Sequence, residues 1–403
     1  MKIFLHTMYY LPDFGSAPVL MDELARYLAG AGHEVEVVTT LPRKRTAAFR
    51  GLAYSRRASG RLAVTRFWTN AAPHPLGRLL AWNIYTAGAV LNMLSLRKGD
   101  ILFLRTPPLQ LGVPALCAKA VRGARVLVNV QDIHPDLAIE SGILTNPVGI
   151  RFARALEQGV YGLADKIAVI SDGFARNLRA KGVPERKLEV LPNWVDTDFM
   201  RPLPKDNAVS RRLGLQDKFV VMYSGTISIS SNLALERVLE AAKRLAGEQE
   251  MLFVIVGEGL KRDAVREKAA SLGLRDTVFL PFQPYPDLPG LLAGSDVLLV
   301  PLDKDKSRLS VPSKLYTFMA AGRPILGLAT PDSEVAAVLR EAECGPAVPP
   351  DDAAAIAAAI QTLALSPERR REQGGNARDY VVRRFAKGKI LRSYEELLMS
   401  MVS

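Results

Sequence analysis

Cysteine is nearly missing from this chain of 403 residues, and Cys117 and Cys344 stand 227 positions apart. That excludes a disulfide scaffold and any C-x-x-C metal or redox site, and it points to a reducing compartment. Histidine is scarce too: His6, His33, His74 and His134 are too scattered for an obvious metal cluster. No G-X-Y period and no sustained heptad occurs, which removes collagen and coiled coil. The first strands are not followed by G-x-G-x-x-G, and G-x-x-x-x-G-K-[ST] is absent. Both facts argue against a nicotinamide dehydrogenase and a P-loop nucleotide hydrolase. G-x-S-x-G and H-E-x-x-H are missing as well. Long apolar runs are few. Leu79–Leu96 has 18 residues without a charge, about 27 Å as a helix and barely a membrane span. Asn83, Thr86, Gly88, Asn92 and Ser95 dilute it, so it reads as a buried or interfacial helix. Ile3–Leu11 is interrupted by His6 and precedes no small-residue cleavage site. It reads as a buried strand and not as a signal peptide.

Acid is absent from one long segment. Between Leu41 and Gly99 there are eleven basic residues and no Asp or Glu: Arg43, Lys44, Arg45, Arg50, Arg56, Arg57, Arg61, Arg66, Arg78, Arg97 and Lys98. The whole chain has 53 basic and 41 acidic residues, a net charge of +12. A field of one sign attracts anions: nucleic acid, anionic lipid or a phosphorylated substrate.

What is present is ordinary globular material. Hydrophobic residues make up 48%, enough apolar surface to exclude disorder as the main state. The length suits two large domains. Lys2–Tyr9 predicts a strand, Leu11–Pro18 a loop, Val19–Ala29 a helix ended by Gly30–Gly32, and Val35–Thr39 a second strand. The order recurs in the second half, with a strand at Phe219–Tyr223, a small-polar loop at Ser224–Asn232, a helix at Leu233–Leu245 and a strand at Met251–Val256. Short apolar runs at Ile101–Leu104, Arg125–Val130, Lys166–Ile170 and Leu188–Leu191 extend the first sheet. Val278–Phe282, Val297–Val300, Pro324–Leu328 and Ala347–Val348 extend the second. Arg201–Asp217, polar with two prolines, reads as the linker, and Ala353–Leu363 and Asn376–Met401 as C-terminal helices. Two Rossmann-like sheets facing across a cleft would bind their ligand beyond the carboxyl ends of the strands. Asp196-Thr197-Asp198 and Asp303-Lys304-Asp305 are D-x-D strings. So short a pattern often arises by chance, and Lys304 supplies its own counter-charge, so no metal site is assigned.

Ten segments, in order and spanning nearly the whole chain, resemble the retaining glycosyltransferases of family four. They are YYLPDFGSAP, LAGAGHEVEVVTTLP, VQDIHPDLAIESG, ADKIAVISDGFARNL, VLPNWVDTDFM, MYSGTIS, FVIVGEGLKRD, VFLPFQPYPDLPGLLAGSDVLLVPL, VPSKLYTFMAAGRPILG and NARDYV. The bacterial branch that builds capsule, O-antigen and exopolysaccharide is the most similar. The resemblance implies the GT-B fold: an acceptor-binding domain over 1–200, a nucleotide-sugar-binding domain over 201–384, and a last helix, about 385–403, crossing back to the first domain. It implies transfer from a nucleotide-sugar with retention of configuration, no cofactor and no bound metal. The donor would be UDP-linked, with an N-acetylamino sugar among the candidates. The acceptor would be a polyprenyl-diphosphate-linked glycan at an anionic membrane surface, and the location the cytoplasmic face of the cell membrane.

The residue chemistry agrees with this. Small residues at Ser224, Gly225 and Thr226 let backbone amides approach phosphate. Lys261, just after Gly257, Glu258 and Gly259, would reach a diphosphate. Ser313, Lys314 and Leu315 open a helix, an anion-ready start that carries a lysine. Phe282 and Gln283 lie where relatives hold the base, and Gly15 and Ser16 match a glycine-rich loop that admits donor and acceptor. Asp132 and His134 are the catalytic candidates, where they would orient donor sugar or acceptor. Three positions depart from the pattern. Relatives carry two glutamates separated by seven residues; here Thr317 stands at the second and Leu309 eight before it. Gln131 stands where many relatives have histidine. The basic residue usual after the Ser224-Gly225 strand is absent, leaving Lys261, Lys314 and Arg308 for the phosphates. Two rival readings are weaker. An epimerase of the same fold would need an acid/base pair that is not found. A nucleic-acid-binding protein would need more interleaved aromatics than Phe49, Tyr54, Phe67 and Trp68, so no nucleic-acid partner is assigned.

Overall fold

The computed structural model describes residues 1–13, 15–42, 49, 51–69, 75–140, 142–228, 231–247, 250–303 and 312–402. His74, Arg43, Lys44, Arg45, Arg50, Lys304, Asp305, Arg308 and Leu309 therefore lie outside the described residues. The chain forms two units, Met1–Asn193 with Lys389–Ser403, and Trp194–Gly388.

The first unit is built on eight strands: β1 (Lys2–His6), β2 (Glu34–Thr40), β3 (Tyr54–Ser59), β4 (Leu62–Phe67), β5 (Ile101–Thr106), β6 (Arg125–Val130), β7 (Lys166–Val169) and β8 (Leu188–Val190). Their order is β3-β4-β2-β1-β5-β6-β7-β8. The central strands are buried along nearly their whole length, as apolar runs flanked by helices on both faces should be. The hairpin β3–β4 is not legible as strands in the basic segment. β4 runs parallel to β2, and β3 closes the edge antiparallel to it. The long uncharged stretch forms helix Pro75–Asn92 and a short 3-10 turn, Met93–Ser95. It lies against the sheet, with Tyr85 fully buried and its hydroxyl donating to the Val38 carbonyl at 2.9 Å. Among the described residues no helix is long and apolar enough to cross a membrane.

The last helix, Lys387–Ser400, belongs largely to this first unit. Glu395 accepts from the Tyr27 hydroxyl at 2.9 Å and lies 3.2 Å from His33 Nε2. Tyr394, fully buried, accepts from Asn129 Nδ2 at 2.9 Å. The chain thus crosses back, as the resemblance implies.

The second unit holds six parallel strands: β9 (Phe219–Ser224), β10 (Met251–Val256), β11 (Thr277–Leu280), β12 (Val297–Pro301), β13 (Ile325–Leu328) and β14 (Ala347–Val348). Their order is β11-β10-β9-β12-β13-β14. The segment Arg201–Asp217 is not a free linker. Asn207 caps helix Ala208–Arg212, and Val209 and Leu215 enter the second unit's core. Its apolar residues are too few for a strand signal but enough to dock one helical turn. The division instead falls between Asn193 and Trp194.

Candidate functional site

In the second unit the sequence-predicted loops meet at the carboxyl ends of β9, β10 and β11. The loop after β9 runs beside the loop after β10. Gly225 N–H donates to the Val256 carbonyl, Ile227 N–H to Glu258 and Lys261 N–H to Ile227, at 2.9, 2.9 and 3.2 Å. Gly257 N–H donates to Leu280 at 2.9 Å. The approach is so close that side chains are excluded. A Cβ on Gly257 would stand 2.0 Å from the Gly225 oxygen, and one on Gly259 2.3 Å from the Ile227 oxygen. Both residues have φ near +145°, at 142 and 150, where only glycine is relaxed.

This geometry modifies the sequence expectation. The amides of Gly225, Ile227, Gly257 and Lys261 hold the two loops together and are not offered to an anion. Leu315 is fully buried and its N–H donates to the Pro312 carbonyl at 2.9 Å. Its contribution is therefore structural packing, not ligand contact. Lys314 brings positive charge to the site. Its ammonium donates to the Tyr223 hydroxyl at 2.8 Å and lies 4.2 Å from that ring's centroid. Among the described residues no carboxylate pairs with it, and burial brings its pKa down from 10.5 to about 7.

The helix Lys314–Ala320 is fixed from behind. Leu315, Tyr316, Phe318 and Met319 are buried, and Tyr316 stacks on Phe385 with ring centroids 4.0 Å apart. Lys314 and Thr317 remain half-buried, one turn apart on the same face. Phe282 is 51% exposed, its ring edge 3.4 Å from where a Gly257 Cβ would lie. β11 ends at Leu280, two residues earlier than the sequence suggests, so Phe282 and Gln283 are loop residues. Gln283 donates to the Pro281 carbonyl. Ser224 is half-buried, Thr226 is exposed with its carbonyl taken by the Tyr223 hydroxyl, and Ser313 precedes the helix without capping it. Glu258 lies 3.5 Å from Arg262. The first aspartate of each D-x-D string has a structural occupation. Asp303 accepts from Ala234 N–H at 2.9 Å at the start of helix Asn232–Arg244. Asp196 accepts from Asp198 and Phe199 N–H and from Lys387.

In the first unit, Gly15 has φ 122 and precedes helix Ser16–Gly30, whose first turn has neither a side-chain cap nor an acidic residue. That start is open to an anion. Asp132 and His134 follow β6. Burial raises the Asp132 carboxyl to about 6, opposed by the nearby Arg105 guanidinium. Burial also lowers His134, opposed by Asp136. Gln131, at the departure from the histidine pattern, is locked in a network. Its Nε2 donates to Asn129 at 2.8 Å, and its oxygen accepts from Asn193 at 3.0 Å. It supports the strand ends and has no proton to exchange. Sequence reading missed Arg105 here and Tyr223 in the second unit, and took Arg66 only as one cation of the basic segment. Arg105 keeps its Nε buried without a hydrogen-bond partner among the described residues. Arg66 is buried between the Tyr10 and Phe49 rings and donates to the Leu11 carbonyl at 2.9 Å. Tyr223 holds Lys314. An arginine inside the apolar run ILFLRT was the one available signal for Arg105; Tyr223 reads simply as a core strand residue.

Two family models match this chain: the "Glycosyl transferase 4-like domain" over residues 15–194 and "Glycosyl transferases group 1" over residues 218–366. A protein of Escherichia coli (strain K12) named as the putative colanic acid biosynthesis glycosyl transferase WcaI is 29% identical over 418 residues, covering 98% of each chain. Sucrose-phosphate synthase from Thermosynechococcus elongatus superposes with a TM-score of 0.78 at 17% identity, covering 99% of this chain and 98% of that one. The Anabaena protein HepE, in complex with UDP-glucose, gives 0.72 at 18% identity, covering 99% and 100%. The two family models between them take in the first sheet from β2 to β8 and the whole of the second, and the chain belongs to the family-four, group 1 glycosyltransferases of the GT-B fold.

Proposed function

We propose that this enzyme moves a sugar from a UDP-linked donor to a polyprenyl-diphosphate-linked glycan, with retention of configuration, in the synthesis of a bacterial surface polysaccharide. The observation that carries the donor half is Lys314: a half-buried ammonium without a carboxylate partner among the described residues, seated against the Gly225 backbone at the loops that follow β9 and β10. An unneutralised cation in such surroundings is costly unless an anion completes it. The WcaI relative is named for colanic acid biosynthesis, and HepE was solved with UDP-glucose and with UDP, which supports the surface-polysaccharide and UDP readings. Either a hexose or an N-acetylamino sugar satisfies this reading.

The mechanism follows from charge. The acceptor hydroxyl attacks the anomeric carbon on the face from which the diphosphate departs. The sugar–phosphate C–O bond breaks, and the leaving phosphate oxygen takes the hydroxyl proton. Lys314 offsets the charge that develops on the diphosphate. Asp132 and His134 orient the sugar or the acceptor, which contributes through positioning. Gly15 and the open start of helix Ser16–Gly30 suit the phosphates.

The enzyme would work at the cytoplasmic face of the membrane as a peripheral protein. Arg61, Arg97 and Lys98 stand exposed, with Leu79, Leu80 and Leu91 pointing outward from helix Pro75–Asn92. On helix Pro147–Leu163, Val148 and Phe152 are 77% and 71% exposed beside Arg151 and Arg154. Tyr85 and Arg66 are buried, so neither enters a bilayer. A thermal-shift panel tests the donor half. UDP at 100 times its dissociation constant should stabilise the fold by about 2.7 kcal/mol, and an oligonucleotide should not. Stabilisation by the oligonucleotide and not by any nucleoside diphosphate would overturn the reading.

A further inference from the structure

We infer that Tyr223 is a positioning residue of the donor site: it holds Lys314 Nζ beside the Gly225 peptide, aimed at the diphosphate, without bringing a counter-charge of its own. The inference rests on the donor reading above and deepens it. Tyr223 lies next to the end of β9. Its ring is fully buried in the core that includes Val221, Ile227 and Leu235, and its hydroxyl emerges where the loop begins.

The hydroxyl has one proton to give, and it donates that proton to the Thr226 carbonyl at 2.7 Å. Its lone pairs are then left to accept, and Lys314 Nζ donates to them at 2.8 Å. The ring itself lies 4.2 Å from Nζ, within cation–π range. One group therefore ties the lysine and the loop together. Gly225 completes the arrangement. A Cβ there would stand 2.8 Å from Nζ and 3.4 Å from the Tyr223 oxygen, at a φ of 152.

The choice of a phenol has a physical consequence. A carboxylate in the same place would hold the lysine more firmly but would cancel its charge. A phenol hydroxyl and a ring face hold it through a dipole and a quadrupole, and bring no counter-charge, so whatever charge the lysine carries is left for the ligand. An ammonium has three N–H donors; one is used on Tyr223, and the others are available to phosphate oxygens.

The test is calorimetric titration of the full chain with UDP and, separately, with uridine, which lacks the diphosphate. The proteins are the wild type, Tyr223→Phe, Lys314→Ala and the double variant. Phenylalanine keeps the ring and removes both hydrogen bonds of the hydroxyl, to Thr226 and from Lys314; loss of the one that fixes Lys314 should make UDP bind about five- to tenfold more weakly, with uridine affinity unchanged. In the Lys314→Ala background, Tyr223→Phe should have no further effect on UDP, because its influence passes through the lysine. Gly225→Ala, which crowds Nζ directly, should reproduce the selective loss. If Lys314→Ala weakens UDP while Tyr223→Phe changes it less than twofold, the donor reading stands and this inference fails. Equal weakening of UDP and uridine by Tyr223→Phe would mean general damage and also overturns it. If the wild type does not bind UDP, or Lys314→Ala binds it normally, the donor reading falls and the inference with it.

Discussion

Lys314→Met should make the protein more stable and less active. Methionine keeps the unbranched stem that lies against Tyr223 and removes the charge. In the folded chain burial lowers the lysine's pKa from 10.5 to about 7. That difference corresponds to a cost of about 5 kcal/mol for the charged form as an upper bound. Half-neutralisation at pH 7 relieves only RT ln 2, about 0.4 kcal/mol, of that cost; solvent reaches part of the side chain and screens much of the rest, so the gain on substitution should be about 1–2 kcal/mol. The sign with pH follows from linkage. The unfolded chain keeps the proton up to about pH 10 while the folded chain releases it near 7, so wild-type stability should rise with pH between those values. Lys314→Met should lose that rise. Activity runs the other way. Loss of a cation facing developing charge costs on the order of 2–4 kcal/mol of transition-state stabilisation, so kcat/KM should fall about 30-fold or more. Wild-type kcat/KM should itself decline above pH 7, as the free enzyme loses the ammonium. UDP binding should draw a proton onto Lys314, measurable as a buffer-dependent binding enthalpy at pH 8. A methionine variant that is less stable than wild type, yet active within threefold, would refute this reasoning.

Three further outcomes follow from named positions. Gly257→Ala should destabilise the second unit by about 2 kcal/mol or more and abolish UDP binding, since its Cβ would stand 2.0 Å from the Gly225 oxygen at a φ of 142; chemical denaturation and titration check both. His6 is fully buried with neither ring nitrogen paired among the described residues, and burial lowers its pKa to about 3. The folded chain therefore resists protonation that the unfolded chain accepts below pH 6.5, so stability should fall by about 1.4 kcal/mol per pH unit on acidification. His6→Leu should flatten that slope in urea melts at pH 5 and 7. Sedimentation with anionic liposomes should show binding that salt weakens but does not abolish, since each cation contributes about 1 kcal/mol and is screened, while Val148 and Phe152 add an apolar contribution. Complete release by salt would remove the apolar contact, and no binding at low salt would remove the membrane assignment.

The parallel strands were legible because each is a short apolar run between loops, and β6, β10 and β14 coincide with their sequence ranges. The hairpin β3–β4 was not. Tyr54–Ser59 is a nearly fully exposed edge strand with two arginines, so it lacks the alternation that marks a half-buried strand. The loops of the site were legible as glycines and small residues after strands. What could not be read was which amides were free. That depends on the lateral approach of the loops after β9 and β10, a tertiary property. The role of Tyr223 was hidden for a related reason: a core tyrosine and a ligand-positioning tyrosine look alike until the hydroxyl's partners are known. Leu315 illustrates the reverse case, a motif neighbour of Lys314 whose side chain faces the core. The basic segment was overread as a uniform surface. Arg66 is internal, and Arg56 lies 3.6 Å from Glu36.

The most direct test of the account is the stereochemistry of the product formed without metal. The enzyme would be supplied with a panel of UDP-sugars and a polyprenyl-diphosphate-linked acceptor in excess chelator, and the new linkage read by proton NMR. The account predicts transfer at an undiminished rate, with the anomeric configuration of the donor kept in the product. An inverted linkage, or transfer that appears only when manganese or magnesium is restored, would contradict it.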